Sequence, residues 1–317
     1  MTATLGLGLA ALGRPAYISL DRDRDLGPFA DRAVESMRSR THAMLDTAWS
    51  AGIRYVDAAR SYGLAEQFLG DWLARAPERR DVLTLGSKWG YRYVADWKLD
   101  VEAHEVKDHS LATFEQQWPL SVEALGGAPD LYLIHSVTPE SPALGDGALL
   151  DRLRDLAQNG LRVGISTSGP RQGEVVDAAL ALPDTPFRAV QSTVNLLEPS
   201  AAPALARAHQ AGWTVVSKEV FANGRLTPAG RNLRVTPDSS LATEVSVRTS
   251  LTPEAAALGW ALAQPFIDVA LTGAVTEQQL LDNLAAHPLE DDQLEAVAGL
   301  AEKPDQYWST RSTLAWS

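Results

Sequence analysis

The chain has no cysteine in its 317 residues, which removes disulfides, thiolate metal sites and cysteine nucleophiles together. Long apolar runs are also missing: none approaches the roughly 20 residues needed to span a bilayer. The opening stretch MTATLGLGLAALG has no basic flank and is broken by glycine, unlike a secretory leader. The expectation is a cytoplasmic protein that does not engage a membrane. Positive charge is scarce: 28 Lys and Arg against 40 Asp and Glu give 28 − 40 = −12. A balance of that sign argues against nucleic acid, because phosphate contacts need a basic face, but it leaves room for a local pocket holding one anionic cofactor. Two motifs are absent as well. No GxGxxG follows a strand, and the GLG at 6–8 is too short to count, which speaks against a Rossmann cofactor domain. The six histidines include no HxH pair at a strand end, so no metal is expected.

What is present is core-forming material: 45% of the residues are hydrophobic and 21% charged, which excludes a disordered chain. Length alone suggests two domains at about 150 residues each, although α/β barrels run longer as one unit. Eight apolar, strand-like runs occur, near Leu5–Leu9 and at Arg54–Ala58, Val82–Lys88, Leu131–His135, Arg162–Ser166, Ala189–Thr193, Thr214–Lys218 and Asp268–Thr272. Strands covered on both faces read this way. Helical patterns alternate with them at about 31–51, 65–75, 109–126, 146–159, 171–182, 200–211, 253–264 and 276–286. End signals support several: Thr252-Pro253-Glu254 reads as a helix start, and Ala51-Gly52, Asn159-Gly160 and Ala211-Gly212 as stops. Eight strand–helix units without a composition break favour a single (β/α)8 TIM barrel over residues 1–317, with an open doubly wound sheet as the alternative. Two connections are unusually long, 89–108 after the third strand and 219–252 after the seventh. Both follow strand C-termini, the face on which barrel enzymes build their sites.

Polar residues at the ends of buried strands must be paired or used. Asp57 ends the second strand, with Tyr62 five residues on in DAARSYG; Lys88 ends the third in LGSKWG, and His135 the fourth in LYLIHS. Taken singly, each is as readily a turn, packing, surface or core residue. Together, at the ends of three consecutive strands, they bring a carboxylate, a phenol, an ammonium and an imidazole to one barrel mouth. Aromatics crowd the third loop (Trp89, Tyr91, Tyr93, Trp97), and Tyr307 and Trp308 lie near the C-terminus; they read equally as pocket walls or as packing.

With these residues in view, AGIRYVDAARSYGLAEQFLG resembles the signature of the aldo-keto reductase superfamily, Glu66 and Gly70 continuing it, and the resemblance extends over nearly the whole chain. It implies a catalytic tetrad of Asp57, Tyr62, Lys88 and His135. Tyr62 would be the general acid, Lys88 the cation favouring phenolate, Asp57 its counter-charge, and His135 the group orienting the carbonyl. The resemblance also implies cofactor contacts from Ser166 and Gln191 to a nicotinamide carboxamide, from Lys218, Glu219, Val220 and Gly224 along the seventh strand and its loop, and from Gly273, Gln279, Asp282 and Asn283 at the adenosine end. Three positions depart from the family pattern. Thr167 stands where asparagine is common, Lys218 where an aromatic often stacks, and no basic residue lies between Gly273 and Asn283. With Arg231 and Arg234 able to fold over and supply charge, the expected cofactor is NADP, with NAD as the alternative. The implied activity interconverts an aldehyde or ketone with its alcohol, or a sugar hemiacetal with its lactone. A cofactor-binding regulatory subunit resembling potassium-channel β subunits is the competing reading. No residue pattern names the substrate, the favoured direction or the oligomeric state.

Overall fold

The computed structural model describes residues 3–20, 22–236 and 239–316. Its first half runs β1 (Thr4–Gly8), α1 (Arg22–Leu26), α2 (Val34–Ser50), β2 (Tyr55–Asp57), α3 (Ala65–Ala74), β3 (Thr84–Trp89), β4 (Tyr91–Tyr93), β5 (Glu105–Lys107), α4 (Leu111–Leu125), β6 (Leu131–Val137) and α5 (Gly147–Gln158). The second half runs β7 (Arg162–Thr167), α6 (Gln172–Leu180), β8 (Ala189–Thr193), α7 (Ala202–Gln210), β9 (Thr214–Lys218), β10 (Arg234–Thr236), β11 (Ser239–Ser240), α8 (Leu241–Thr249), α9 (Pro253–Leu262), β12 (Val269–Thr272), α10 (Glu277–Leu284), α11 (Asp291–Ala298) and α12 (Pro304–Ser312). Eight of the strands form a closed parallel barrel in the order β1-β12-β9-β8-β7-β6-β3-β2. Closure is made by β1, which pairs with β12 at Leu7–Thr272 and with β2 at Leu7–Val56. The (β/α)8 expectation is thus met. No helix among the described residues is long and apolar enough to cross a membrane.

Residue alternation along the strands decides what faces the barrel axis. Tyr55, Leu131, Leu133, Ala189, Val216, Val269 and Leu271 form one buried cluster that plugs the interior. Glycine at 6, 86 and 164 makes room for it: a Cβ at Gly6 would strike Val269, Leu271 and Tyr55. Two residues further along the same strands, in the same inward register, come Asp57, His135, Gln191, Lys218 and Gly273, with Lys88 following Gly86 on β3. The plug therefore fixes which side chains can form the layer above it.

The helix stops expected at Gly52, Gly160 and Gly212 have φ of +87°, +93° and +80°, values glycine tolerates and other residues rarely adopt. At the start of α9, the Thr252 side chain accepts from the Ala255 N–H at 3.2 Å. The structure departs from the sequence reading chiefly in the connections. The third loop contains a two-stranded hairpin, β4–β5, and the seventh contains β10–β11 and α8. The C-terminal tail is helical, as α11 and α12, and the helix expected from residue 31 starts as α2 at Val34 after a 3₁₀ turn over Phe29–Arg32.

Candidate active site

At the C-terminal end of the barrel, Lys88 is fully buried and donates to Asp57 Oδ2 at 2.5 Å and to the Ala58 carbonyl at 2.7 Å. Asp57 Oδ1 accepts from the Gln191 amide nitrogen at 2.7 Å. A buried carboxylate is thus held by one cation and one amide, the pairing a buried charge requires. Burial lowers the Lys88 ammonium below its ordinary value, against the pull of Asp57. Tyr62 arrives on the turn after β2, pinned where Gly13 and Gly63 pack: Leu64 N–H donates to the Gly13 carbonyl at 2.7 Å. The Lys88 Nζ lies 4.7 Å from the Tyr62 ring centroid, and the His135 ring meets it edge-on at 5.5 Å. The four expected catalytic residues are therefore gathered at one place.

Their electrostatics differ from the expectation in one respect. Burial, then the Asp57 charge, pushes the Tyr62 phenol well above its ordinary value. The Lys88 donor bonds go to Asp57 and Ala58, so the cation adjoins the ring without offsetting the desolvation of a phenolate. Tyr62 accordingly keeps its proton near neutral pH. His135 moves the other way: burial, then Lys88, depresses it well below the usual imidazole range and leaves it neutral. Its Nδ1 lies 3.4 Å from the Ser61 hydroxyl.

A cleft of about 320 Å³ opens over this layer, lined by Asp57, Tyr62, Gln191 and Lys218 at one end and by Gly273, Gln279, Asp282 and Asn283 at the other, with Glu219, Val220 and Gly224 between them in the chain. Of the residues expected to touch a cofactor, only Ser166 is absent from this lining; its hydroxyl accepts from the Ser136 N–H at 2.7 Å. Thr167 takes the opposite register and bonds Ser192 at 2.6 Å, outside the cleft. Lys218 donates to the Thr193 hydroxyl at 2.8 Å, and burial brings its ammonium down to about 8. Burial by itself would raise the adjacent Glu219 carboxyl, but Arg311 of α12 and Lys218 hold it at about 2. Glu219 itself sits at φ +56°. Gln279 donates to Asp25 at 2.8 Å, and Asn283 to the Thr272 hydroxyl at 2.7 Å.

The cleft suits a nicotinamide cofactor on the chemistry of its lining. Gln191 is fully buried, and its Oε1 has no hydrogen-bond partner among the described residues, so an amide donor would complete it. Gly273 leaves the space where a Cβ would point unfilled, and Gly224 adopts φ +88° against Leu20 and Ser19, where a side chain would be strained. Among the described residues no group of three or more His, Asp or Glu is placed to hold a metal ion.

Several site residues carried no sequence signal. Arg14 is buried in the first loop, and its guanidinium carbon lies 5.1 Å from the Tyr62 ring centroid. Arg24, Asp25 and Glu254 line the cleft, and Arg311 reaches Glu219 from the tail. Arg231 is exposed and does not line the cleft; it donates to the carbonyl of Pro228, a lining residue of its own loop. The Arg234 side chain lies outside the described residues.

Comparison with known proteins gives the family and the fold. The family model described as the aldo/keto reductase family matches residues 5–302. Aldo-keto reductase str7 of Strobilurus tenacellus is 24% identical over 307 residues, covering 88% of this chain and 86% of that protein. An aldo-keto reductase of Gibberella moniliformis is 34% identical over 109 residues, 34% of this chain and 31% of that protein. Among solved structures, aldo-keto reductase AKR11C1 from Bacillus halodurans in its holo form superposes with a TM-score of 0.70 at 21% identity, covering 97% of this chain and 95% of that one. The fold is shared, and the family match spans almost every element that builds the site. The chain belongs to the aldo/keto reductase family and is an oxidoreductase by that membership.

Proposed function

We propose that the chain interconverts an aldehyde or ketone with its alcohol, or a sugar hemiacetal with its lactone, using a nicotinamide cofactor held in the cleft. The observation that carries this reading is the buried Asp57–Lys88 pair beside a protonated Tyr62, joined through Asp57 to a Gln191 whose carbonyl oxygen is free. A nicotinamide bound there supplies or accepts the hydride. In reduction, Tyr62 donates its proton to the forming alkoxide, and its raised pKa keeps it in the acid form. Neutral His135, edge-on to that ring, orients the carbonyl oxygen by hydrogen bonding, without giving up a full charge. Lys88 and Asp57 keep a fixed dipole beside the phenol, so no solvent need reorganise as charge develops. In oxidation Tyr62 must first lose its proton, a step its raised pKa opposes at neutral pH. An absorbance screen at the nicotinamide band, with both reduced and both oxidised cofactors against aldehydes, ketones, alcohols and aldoses, tests the assignment. Turnover is expected with at least one class, and no turnover with any would overturn it.

A further inference from the structure

We infer that this chain selects the unphosphorylated cofactor, NAD(H), over NADP(H), and that Asp25, Glu254 and Asp282 make the selection; the inference rests on the assignment of the cleft to a nicotinamide cofactor. The cleft is marked as a ligand site independently of these carboxylates, by the buried and unpartnered Gln191 carbonyl at its catalytic end. With the carboxamide there, the adenosine half reaches the end formed by α1, α9 and α10. What distinguishes the two cofactors at that end is a 2′-hydroxyl or a 2′-phosphate. A phosphate needs cations or free N–H donors, whereas a hydroxyl can donate to a carboxylate.

The supply at this end is almost entirely of acceptors. Among the described residues, Asp25, Glu254 and Asp282 line it against one cation, Arg24, which is 66% exposed and lies 3.6 Å from the Asp25 carboxylate. Three of the backbone N–H donors at or beside these helix starts are already used. The Thr252 hydroxyl accepts from Ala255 N–H and the Thr276 hydroxyl from Gln279 N–H, both at 3.2 Å, and Gln279 Oε1 accepts from Val275 N–H at 3.0 Å. The side-chain amides are committed too, Gln279 to Asp25 and Asn283 to Thr272. Burial raises the Glu254 carboxyl above its ordinary value, and the Asp282 charge adds a smaller repulsion in the same direction. A phosphate placed among them adds to that repulsion, while a ribose hydroxyl relieves it by donating. Of the two arginines behind the lean toward NADP drawn from the sequence, Arg231 bonds its own loop, and the Arg234 side chain lies outside the described residues.

The test is calorimetric titration of the whole protein with NADH and with NADPH, which needs no turnover. The wild type should bind NADH at least about tenfold more tightly, the scale set by one or two like-charge contacts near a protein surface. The Glu254→Gln, Asp282→Asn double variant should narrow that ratio to a few-fold, chiefly through tighter NADPH binding. Equal or tighter binding of NADPH by the wild type would overturn the inference and leave the nicotinamide assignment standing. A ratio unchanged in the variant would overturn the role of the carboxylates, and failure of both cofactors to bind would remove the nicotinamide assignment and the inference together.

Discussion

Two side chains show how strongly position outweighs chemical type in this molecule. Tyr62 is an ordinary phenol made a reluctant acid by burial and by Asp57. Tyr62→Phe keeps the ring packed against His135 and Arg14 and removes only the hydroxyl that carries the proton. Turnover should fall by about 10²–10⁴-fold, the worth of a positioned proton donor, while the dissociation constant of the cofactor stays within about twofold. Near-normal turnover would remove Tyr62 from the mechanism. Glu219 is held at about 2, against 4.5 for the free side chain, by Arg311 and Lys218 in spite of its burial. Because the folded pKa is the lower one, the stability this contributes is fully present above pH 4.5 and is lost as pH falls toward 2. Its size is about 3.5 kcal/mol at most, from 2.5 pH units at about 1.4 kcal/mol each. The melting-temperature gap between wild type and Glu219→Gln should therefore shrink through that window, and a gap constant from pH 6 to pH 3 would contradict the pairing. Asp57, Lys88 and His135 were legible because inward residues of a buried strand recur every second position and a charge there must be accounted for. Arg14 and Arg311 were not, since a basic residue in a loop or tail reads as a solvated charge until the fold buries it.

Between residue and barrel, three connecting segments converge over Tyr62. Arg14 of the first loop donates to the Ser61 carbonyl at 3.1 Å and to Glu105 of β5 at 2.5 Å, and its guanidinium lies 4.8 Å from the Trp316 ring centroid. Trp316 in turn stacks on His104 at 4.4 Å, tying the tail to the hairpin loop. One buried guanidinium thus fastens the first loop, the β4–β5 hairpin and the C-terminal tail to each other. Arg14→Met keeps the apolar stem but leaves Glu105 without its partner. The expected loss is roughly 2–4 kcal/mol, near the range for breaking a buried pair, read as a lower urea midpoint. An unchanged midpoint would show that packing alone holds the three segments. Elements with clear start signals, such as α9 behind Thr252-Pro253-Glu254, were readable from sequence. The helix α8 was not: LATEVSVRT contains two Thr and two Val, β-branched residues that weigh against helix by propensity. Its start is set by the Ser240 hydroxyl accepting from Thr243 N–H at 3.2 Å. For α12 a usable signal did exist, Pro304 in the first turn followed by Asp305, the same grammar that marks α9.

At the scale of the whole chain, the length that suggested two domains resolves into one closed sheet whose final pairing joins its ends. Thr4 lies opposite Val269 in the β1–β12 pair, so neither terminal strand is complete until about 265 intervening residues are in place. The apolar core does not offer a dividing line either. Leu5 packs against both large core clusters, and between them these clusters take residues from β1 to α12. Removing any one strand–helix unit would open the barrel and expose two edges lined with unpaired backbone groups. The expected behaviour is a single cooperative transition in calorimetry, for residues 1–317 as one domain. It should move upward by an amount equivalent to about 2.7 kcal/mol when the preferred cofactor is present at a hundred times its dissociation constant. Two resolved transitions, with only one responding to cofactor, would show instead that part of the chain folds and binds by itself. The site argues against that outcome, because the cleft takes Asp57 from β2, Gln191 from β8, Lys218 from β9 and Gly273 from the loop after β12. A ligand touching strands from both halves of the sequence can stabilise only the closed barrel, so the whole transition should shift as one.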